Sequence, residues 1–268
     1  MRRARALTAA LAFGYAFLFG PIALMVVLSF NDSRLTTSWT GFSLRWYGAL
    51  WRNEALISAT LLSLRIAAMS ATGAVVIGTL AGFALARAGR FRGRTAFAGM
   101  VTAPLVMPEV ITGLSLLLLF VAMADAVGWP GERGVTTVTI AHITFGAAYV
   151  AVVVQSRLAG FDHSLEEAAL DLGARPWKVF GVITLPLIAP ALVSGWLLAF
   201  TLSMDDLVIA SFTSGPGATT LPMHIFSAVR LGLTPELFAL ATVILAVVTS
   251  CLLAALRLAR VAAAGGGR

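Results

Sequence analysis

Two adjacent aspartates lie inside an apolar segment in the C-terminal third of the chain. In FTLSMDDLVIASF, residues 200–212, no basic residue is close enough in sequence to neutralise Asp205 and Asp206. An aspartate at the centre of a membrane span costs about 2.5–3.5 kcal/mol, so embedded acids are functional sites by default. Such carboxylates bind a cationic solute, relay protons or pair with a basic side chain.

The pair is predicted to lie on a helix in the outer half of the membrane, on the order of 10 Å from its outer end. Adjacent residues on a helix point about 100° apart, so the two carboxylates face different sides. We expect Asp206 to face the substrate path, because its stripe is small or polar. We expect Asp205 to hold a neighbouring helix or a second subunit. The stripe of Asp206 comprises Gly195, Ala199, Ser203, Ala210 and Thr213.

Three further features belong to this embedded polar set. Glu109 follows two prolines in APLVMPEVITG, where the prolines predict a kinked helix. Arg65 is predicted at a similar depth, where it either forms a structural ion pair with one acid or leaves all three acids available. His142, Phe145 and Tyr149 share one helical face, which forms part of the core or an aromatic wall along a cation path. No spacing of ligand residues indicates a metal site.

The composition indicates a membrane protein. Of 268 residues, 59% are hydrophobic and 12% are charged, whereas a soluble domain carries roughly 25% charged residues. The apolar residues form blocks of about 20, each long enough to cross a bilayer as a helix. The net charge of +7 comes from arginines at the ends of these blocks, which are typical of topology signals and not of a nucleic-acid-binding face. A single cysteine, Cys251, excludes an internal disulfide.

The apolar blocks predict an all-α protein with six transmembrane helices. Their flanking arginines place both termini in the cytoplasm, and the first block is too long for a cleaved signal peptide. We expect a cytoplasmic N-terminal arm with the first span at 1–30, a core at 56–256 and a cytoplasmic tail at 257–268, of which residues 261–268 are expected to be disordered. The predicted spans are Leu7–Phe30, Leu56–Ala86, Ala96–Ala124, Val135–Ser156, Leu185–Thr213 and Leu237–Leu256.

The cytoplasmic loop at 157–184 carries nearly balanced charge, unlike a simple topology signal. Ser164 to Glu167 fit a capping box, in which the Ser164 side chain accepts a hydrogen bond from the Glu167 N–H. Gly173 supplies a stop, so the sequence predicts one short helix over 165–172. Such a helix is too short to be stable alone, and it must dock onto this chain or onto a partner. Its expected docking face consists of Leu165, Ala168, Ala169 and Leu172.

This loop resembles the EAA signature of ATP-binding-cassette importer permeases. The pattern EAA-x3-G-x9-I-x-LP occurs from residue 167 to residue 186, before the penultimate span. The resemblance implies the type I importer permease fold and a coupling helix that is seated in a cleft of a cytoplasmic ATPase. It assigns ATPase coupling to Ser164, Leu165, Glu167, Ala168, Ala169, Leu172, Gly173, Ile183, Leu185 and Pro186.

The sequence has no G-x-x-x-x-G-K-[ST] motif, and its one lysine is Lys178. We therefore expect no catalytic residue, metal or cofactor in this chain, with ATP and Mg²⁺ bound by a partner ATPase. The resemblance implies a heterodimer of two permease subunits, an ATPase dimer and a periplasmic polyamine-binding protein. It also implies a bacterial inner membrane.

Three embedded acids against one arginine favour a cationic substrate. We expect its path to be lined by Asp206, Asp205, Glu109, Tyr149 and His142. The segments 202–242 and APLVMPEVITGLSLLLLF resemble the permeases of bacterial putrescine/spermidine importers, most of all a second permease subunit. Because related permeases carry iron(III), thiamine or other small solutes, another substrate is one alternative. An ion-coupled secondary transporter is the other, although it would leave the EAA pattern without a purpose.

Overall fold

The chain is almost entirely helical over residues 2–35, 38–232 and 234–265, which are the residues that this computed structural model describes. Besides the helices, these ranges contain an isolated antiparallel β-bridge between Asn31 and Phe42. The all-α class predicted from the sequence is confirmed. The chain divides into two compact units, one formed by residues 1–57 and 225–268 and the other by residues 58–224.

The first unit contains the N-terminal helix α1 (Arg2–Leu28), the short helix α2 (Arg45–Leu50) and the C-terminal helix α12 (Pro235–Gly265). The Asn53 side chain donates to Glu236 Oε2 at 3.1 Å, which joins the segment after α2 to the start of α12. The disorder expected at 261–268 is wrong as far as residue 265, because α12 continues through the alanines that favour a helix. Residues 266–268 lie outside the described ranges.

The second unit holds the predicted site residues. Its helices are connected by short loops, and a single π-helical turn precedes α9. In chain order they are α3 (Glu54–Arg87), α4 (Arg94–Val106), α5 (Glu109–Val127), α6 (Val135–Ala159), α7 (Ser164–Asp171), α8 (Pro176–Val179), the π-turn (Phe180–Thr184), α9 (Leu185–Asp205), α10 (Val208–Thr213) and α11 (Leu221–Leu231), of which α3 begins and α11 ends in the first unit.

Five stretches of helix in the described residues are long and apolar enough to cross a membrane. They correspond to the predicted spans one to five, and in α12 a shorter apolar stretch, Pro235–Ser250, occupies the predicted sixth span. The count of six and the cytoplasmic termini stay predictions. The five stretches are Leu7–Leu28, Glu54–Arg87, Glu109–Val127, Val135–Ala159 and Pro176–Asp205.

Two of the predicted spans are interrupted. The third divides at Met107 and Pro108, so the predicted kink is confirmed as a complete break between α4 and α5. Pro108 has no N–H to continue the helix and it disfavours helical geometry at Met107, whose backbone is extended. The fifth predicted span, Leu185–Thr213, also divides, with α9 ending at Asp205 and α10 beginning at Val208. A single helix over this span was the wrong prediction.

Close packing between α3 and α6 forms the centre of the second unit. Gly78 and Gly82 have the small-xxx-small spacing that predicts helix contact, and both face α6. A Cβ at Gly78 would lie 2.6 Å from Val150 Cβ and 2.7 Å from the Ala147 carbonyl oxygen. Because a backbone oxygen cannot move aside, this contact requires glycine.

Gly78→Ala is therefore expected to destabilise the protein, because overpacking typically costs about 1–3 kcal/mol. The measurement is the thermal unfolding midpoint of the detergent-purified protein. Gly99→Ala is the matched control, because a Cβ at Gly99 in α4 meets nothing within 4 Å. Equal midpoints for the two variants would contradict the close contact.

Candidate functional site

The short loop helix α7 begins at Ser164 and ends at Asp171, within one residue of the predicted bounds at each end. Gly173 ends the segment with a φ of +82°, a left-handed conformation that glycine adopts without strain. The Ala174 N–H then bonds to the Ala169 carbonyl oxygen at 3.0 Å and closes the last turn. The predicted role of Gly173 as the helix stop is confirmed.

The predicted capping box is wrong. Ser164 is the first helical residue and not the cap, and the Glu167 N–H bonds to the His163 carbonyl oxygen at 3.0 Å. Asp162 supplies the start signal, because its Oδ1 accepts a hydrogen bond from the Ser164 N–H at 3.0 Å. This bond, together with one to the Ser164 side chain, lowers the pKa of the Asp162 carboxyl. An aspartate two residues upstream starts the turn earlier by accepting from the Ser164 N–H, so Ser164 falls inside the helix and its side chain is not the cap.

The expected docking face of α7 is largely open. Leu165 is 52% exposed and Leu172 is 89% exposed, while Glu167 and Ala168 are also exposed and Ala169 is half-buried. Large apolar side chains on a charged eight-residue helix are typical of an interaction surface. Farther along the EAA pattern, Ile183 lies in the π-turn, and Leu185 and Pro186 begin α9, where a proline is tolerated because the first N–H groups have no helical partner.

Glu166 also forms contacts that join this loop to the rest of the protein, although the sequence did not indicate such a role for it. Its Oε2 lies 3.0 Å from Arg87 Nε at the end of α3, and its Oε1 accepts a hydrogen bond from Thr184 Oγ1 at 2.6 Å. The side chains of Arg87 and Glu166 are 8% and 12% exposed. No local pattern indicated this pairing, because 79 positions separate Arg87 from Glu166 in the chain.

Asp206 occupies the break between α9 and α10. Its backbone is extended, with φ −68° and ψ 121°, and its carboxylate caps α10. Oδ1 accepts from the Ile209 N–H at 3.2 Å, and Oδ2 accepts from the Ala210 N–H at 2.7 Å. The two bonds satisfy backbone donors that the break leaves without helical partners.

Buried side chains complete the surroundings of Asp206. His142 Nε2 lies 3.1 Å from Asp206 Oδ2, and His142 Nδ1 lies 2.7 Å from Ser203 Oγ. Since a carboxylate only accepts hydrogen bonds, the neutral imidazole carries its proton on Nε2 and accepts at Nδ1. Ser203 then donates to His142 and accepts from Ser70 Oγ at 3.1 Å. One directed chain of hydrogen bonds therefore links α3, α9 and α6 to the break.

The sequence predicted Asp206 on an open stripe, but its side chain is buried, and a contact of Asp205 with a second subunit stays a prediction. The Asp206 side chain is only 7% exposed, whereas Asp205 at the end of α9 is exposed. No basic side chain in the described ranges forms an ion pair with the Asp205 carboxylate. The predicted stripe failed because its helical geometry does not extend past Asp205. The Asp206 carboxylate is therefore hydrogen-bonded within the protein, and the Asp205 carboxylate is exposed.

Glu109 is the second open acid, because it is exposed as the first residue of α5. Arg65 is also exposed, and among the described residues it forms no ion pair with Glu109 or with either aspartate. Helix α5 packs on α10 through Gly113, where a Cβ would lie 2.8 Å from Phe212 Cδ2 and 3.3 Å from Ile209 Cα. The two interrupted spans are therefore direct neighbours.

The aromatic stripe on α6 belongs mainly to the core. Phe145 is 7% exposed, and its ring meets the half-buried ring of Tyr149 edge-on at 5.2 Å. Both pack in an apolar cluster with Ile209. His142 is buried, and its two ring nitrogens form hydrogen bonds with Ser203 and Asp206. The structure brings His142 next to Asp206, and a path-lining role for His142 and Tyr149 stays a prediction.

The fold, the loop and the interrupted spans define a class of membrane transport subunit. A family profile described as "Binding-protein-dependent transport system inner membrane component" matches residues 74–260. The chain belongs to this family, and it is a multi-pass membrane protein of the inner membrane.

Named relatives narrow the class. The chain is 63% identical over 238 residues to the putrescine transport system permease protein PotI of Escherichia coli K12, covering 89% of this chain and 85% of that protein. It is 42% identical over 253 residues to the spermidine/putrescine transport system permease protein PotC of Shigella flexneri, covering 94% and 93%.

Solved structures agree on the fold. A bacterial ABC transporter involved in the import of alginate matches with a TM-score of 0.70 at 14% identity, covering 95% of each chain. The MetNI methionine ABC transporter in an inward-facing conformation matches with a TM-score of 0.59 at 19% identity, covering 77% of this chain and 95% of that one. At these identities the likeness concerns the fold alone, and it confirms the permease architecture.

Asp206→Ala is expected to lower the stability of the folded protein by about 3 kcal/mol or more, because buried N–H donors and His142 lose their acceptor. The measurement is the yield of monodisperse protein in detergent together with its unfolding midpoint. Asp205→Ala is the control, and it should leave both quantities unchanged. If Asp205→Ala destabilises the protein as much as Asp206→Ala, the division of roles is wrong.

Proposed function

We propose that this chain is one of two permease subunits of an ATP-driven importer of polyamines, with putrescine as the substrate. The observation that carries this proposal is the open carboxylate at each of the two interrupted spans, Asp205 at the end of α9 and Glu109 at the start of α5. The 63% identity to a permease of a putrescine transport system supports the choice of solute.

Interrupted helices are a common way to build a solute site within a membrane. In many transporters the substrate binds near the bilayer midplane, where broken helices expose polar groups. Here α5 and α10 pack against each other, so both breaks belong to one helix pair. Putrescine carries an ammonium group at each end, and two separated carboxylates match that arrangement of charge.

The arrangement also explains why an acid can stay exposed at membrane depth. An ionised carboxylate is costly in lipid, but a water-filled path lowers that cost. A diammonium solute then meets charges that no basic side chain of the described residues has neutralised. Because the buried Asp206 carboxylate already accepts hydrogen bonds from Ile209, Ala210 and His142, Asp205 is the better substrate ligand of the pair. This assignment replaces the one expected from the sequence.

The energy source is proposed to be a separate ATPase that binds the open face of α7. Leu165, Leu172 and Ala168 offer an exposed apolar surface with Glu167 beside it. The sequence contains no phosphate-binding motif of its own, so ATP and Mg²⁺ are assigned to the partner ATPase dimer. A periplasmic polyamine-binding protein and a second permease subunit complete the proposed assembly, with both termini of this chain in the cytoplasm.

Asp205→Asn and Glu109→Gln are each expected to reduce putrescine uptake by about tenfold, because a hydrogen bond to a charged group contributes about 1.5–3 kcal/mol. The measurement is ATP-driven uptake of radiolabelled putrescine by the reconstituted four-component system. Glu54→Gln, which neutralises an exposed acid at the start of α3, is the control. Wild-type uptake by both path variants at equal abundance would refute the assigned substrate ligands.

Glu167→Ala and Gly173→Asp are expected to leave ATP hydrolysis in place and to reduce uptake by about tenfold or more. The first removes a charged contact to the ATPase, and the second strains a residue whose φ is +82°. Both rates are measured on assembled complexes, with Asp171→Ala on the same helix as the control. Unchanged uptake by either variant would count against its coupling role.

A further inference from the structure

We infer that Glu166 is the residue through which α7 moves the membrane spans, with Arg87 and Thr184 as its positioning partners. The inference rests on the proposed function, in which α7 receives movement from the ATPase. Glu167, the acid of the EAA pattern, is exposed on the outer side of the helix. Its neighbour Glu166 points about 100° away around the helix, toward the protein interior.

One carboxylate ties α7 to two different spans. Oε2 of Glu166 forms an ion pair with Arg87, which is the last residue of α3. Oε1 of Glu166 accepts a hydrogen bond from Thr184, which directly precedes α9. Thr184 is 2% exposed, and α9 runs from there without interruption to Asp205. A displacement of α7 therefore acts at once on α3 and on the helix that ends at the open acid.

His163 reinforces the same junction. The guanidinium of Arg87 donates through Nη1 to His163 Nε2, and because arginine has no acceptor, the proton of the neutral ring sits on Nδ1. That nitrogen faces Glu166 Oε2 at 3.6 Å. His163 also caps α7 through its carbonyl oxygen, which accepts from the N–H groups of Glu166 and Glu167 at 3.0 Å each. The first turn of α7 is thus tied to Arg87 from both sides of Glu166.

Apolar packing contributes little to holding α7 against α3 and α9 beside these polar contacts. A cavity of about 440 Å³ lies against them, lined by Phe83, Leu170 and Phe180 among others. Arg87 Nη2 is buried without a hydrogen-bond partner in the described residues, and the Nε–H is not aligned with Glu166 despite the 3.0 Å separation. Because α7 adjoins open space here, loss of the ion pair cannot be offset by close packing.

A purely structural ion pair would produce similar defects in single variants. Removing one partner leaves the other charge buried and unpaired, which is strongly destabilising by itself. The double variant Glu166→Gln with Arg87→Gln separates the two roles. It removes the charge link without leaving a buried charge, so a structural pair predicts that both assembly and transport recover.

The experiment compares the wild type, the double variant and Thr184→Val in the reconstituted complex with radiolabelled putrescine. Assembly, ATP hydrolysis and putrescine transported per ATP hydrolysed are measured for each, with Asp171→Asn as the control. We expect the double variant to assemble and to hydrolyse ATP, while transport per ATP falls by about tenfold. Thr184→Val, which keeps the volume and loses one bond to Glu166, is expected to show a smaller fall.

A second readout does not depend on the solute. Spin labels at Asp171→Cys in α7 and Val193→Cys in α9, in a Cys251→Ser background, report the distance between the two helices. If Glu166 holds α7 to α3 and α9, the two labelled helices move together when nucleotide is trapped in the ATPase. The distance then stays constant in the wild type and changes in the double variant.

Wild-type transport per ATP in an assembled double variant, or in Thr184→Val if the double variant does not assemble, would overturn the inference. An unchanged distance in a double variant that still binds the ATPase would overturn it as well. Failure of the wild type to move putrescine, with the distance result as expected, would instead count against the proposed substrate.

Discussion

The requirement that every backbone donor inside a membrane find a partner within the protein governs the fifth span of this chain. The helix stops at Asp205, and the break is tolerated because the Asp206 carboxylate accepts hydrogen bonds from the N–H groups of Ile209 and Ala210 in the first turn of α10. His142 supplies a further donor to the same carboxylate, and Ser203 and Ser70 orient the ring. Without these bonds the break would leave buried polar groups unsatisfied, and Asp205 would lose its position at the end of a helix.

At two pairs of adjacent acidic residues, one carboxylate is bonded inside the protein and the other is exposed. In the membrane, Asp206 fixes the backbone and Asp205 stays open. In the loop at 157–184, Glu166 ties α7 to α3 and to the start of α9, and Glu167 stays exposed. Helix α9 connects the two places, since it begins beside Thr184 and ends at Asp205. The proposed path from ATPase contact to substrate contact thus follows one continuous helix with a buried acid at each end.

Much of this arrangement was readable from the sequence. Block length predicted five of the apolar spans, Gly78 and Gly82 indicated a close helix contact on α3 without identifying α6 as the partner, and Gly173 marked the end of α7. The break at Pro108 followed from the missing N–H of proline. The break at Asp206 had no such signal, because an aspartate in an apolar run fits a continuous helix equally well. The partners of Glu166 were hidden for another reason: Arg87 and Thr184 approach it only through tertiary packing.

The central claim is that ATP, used by a partner subunit, drives putrescine across the membrane through this chain. Its most direct test is uptake of radiolabelled putrescine by the wild-type complex in proteoliposomes, with the energy source varied. The account predicts uptake that requires ATP, the ATPase and the binding protein, and that survives a protonophore. Uptake by this chain and its partner permease that is driven by a proton gradient alone, without ATP or ATPase, would contradict it.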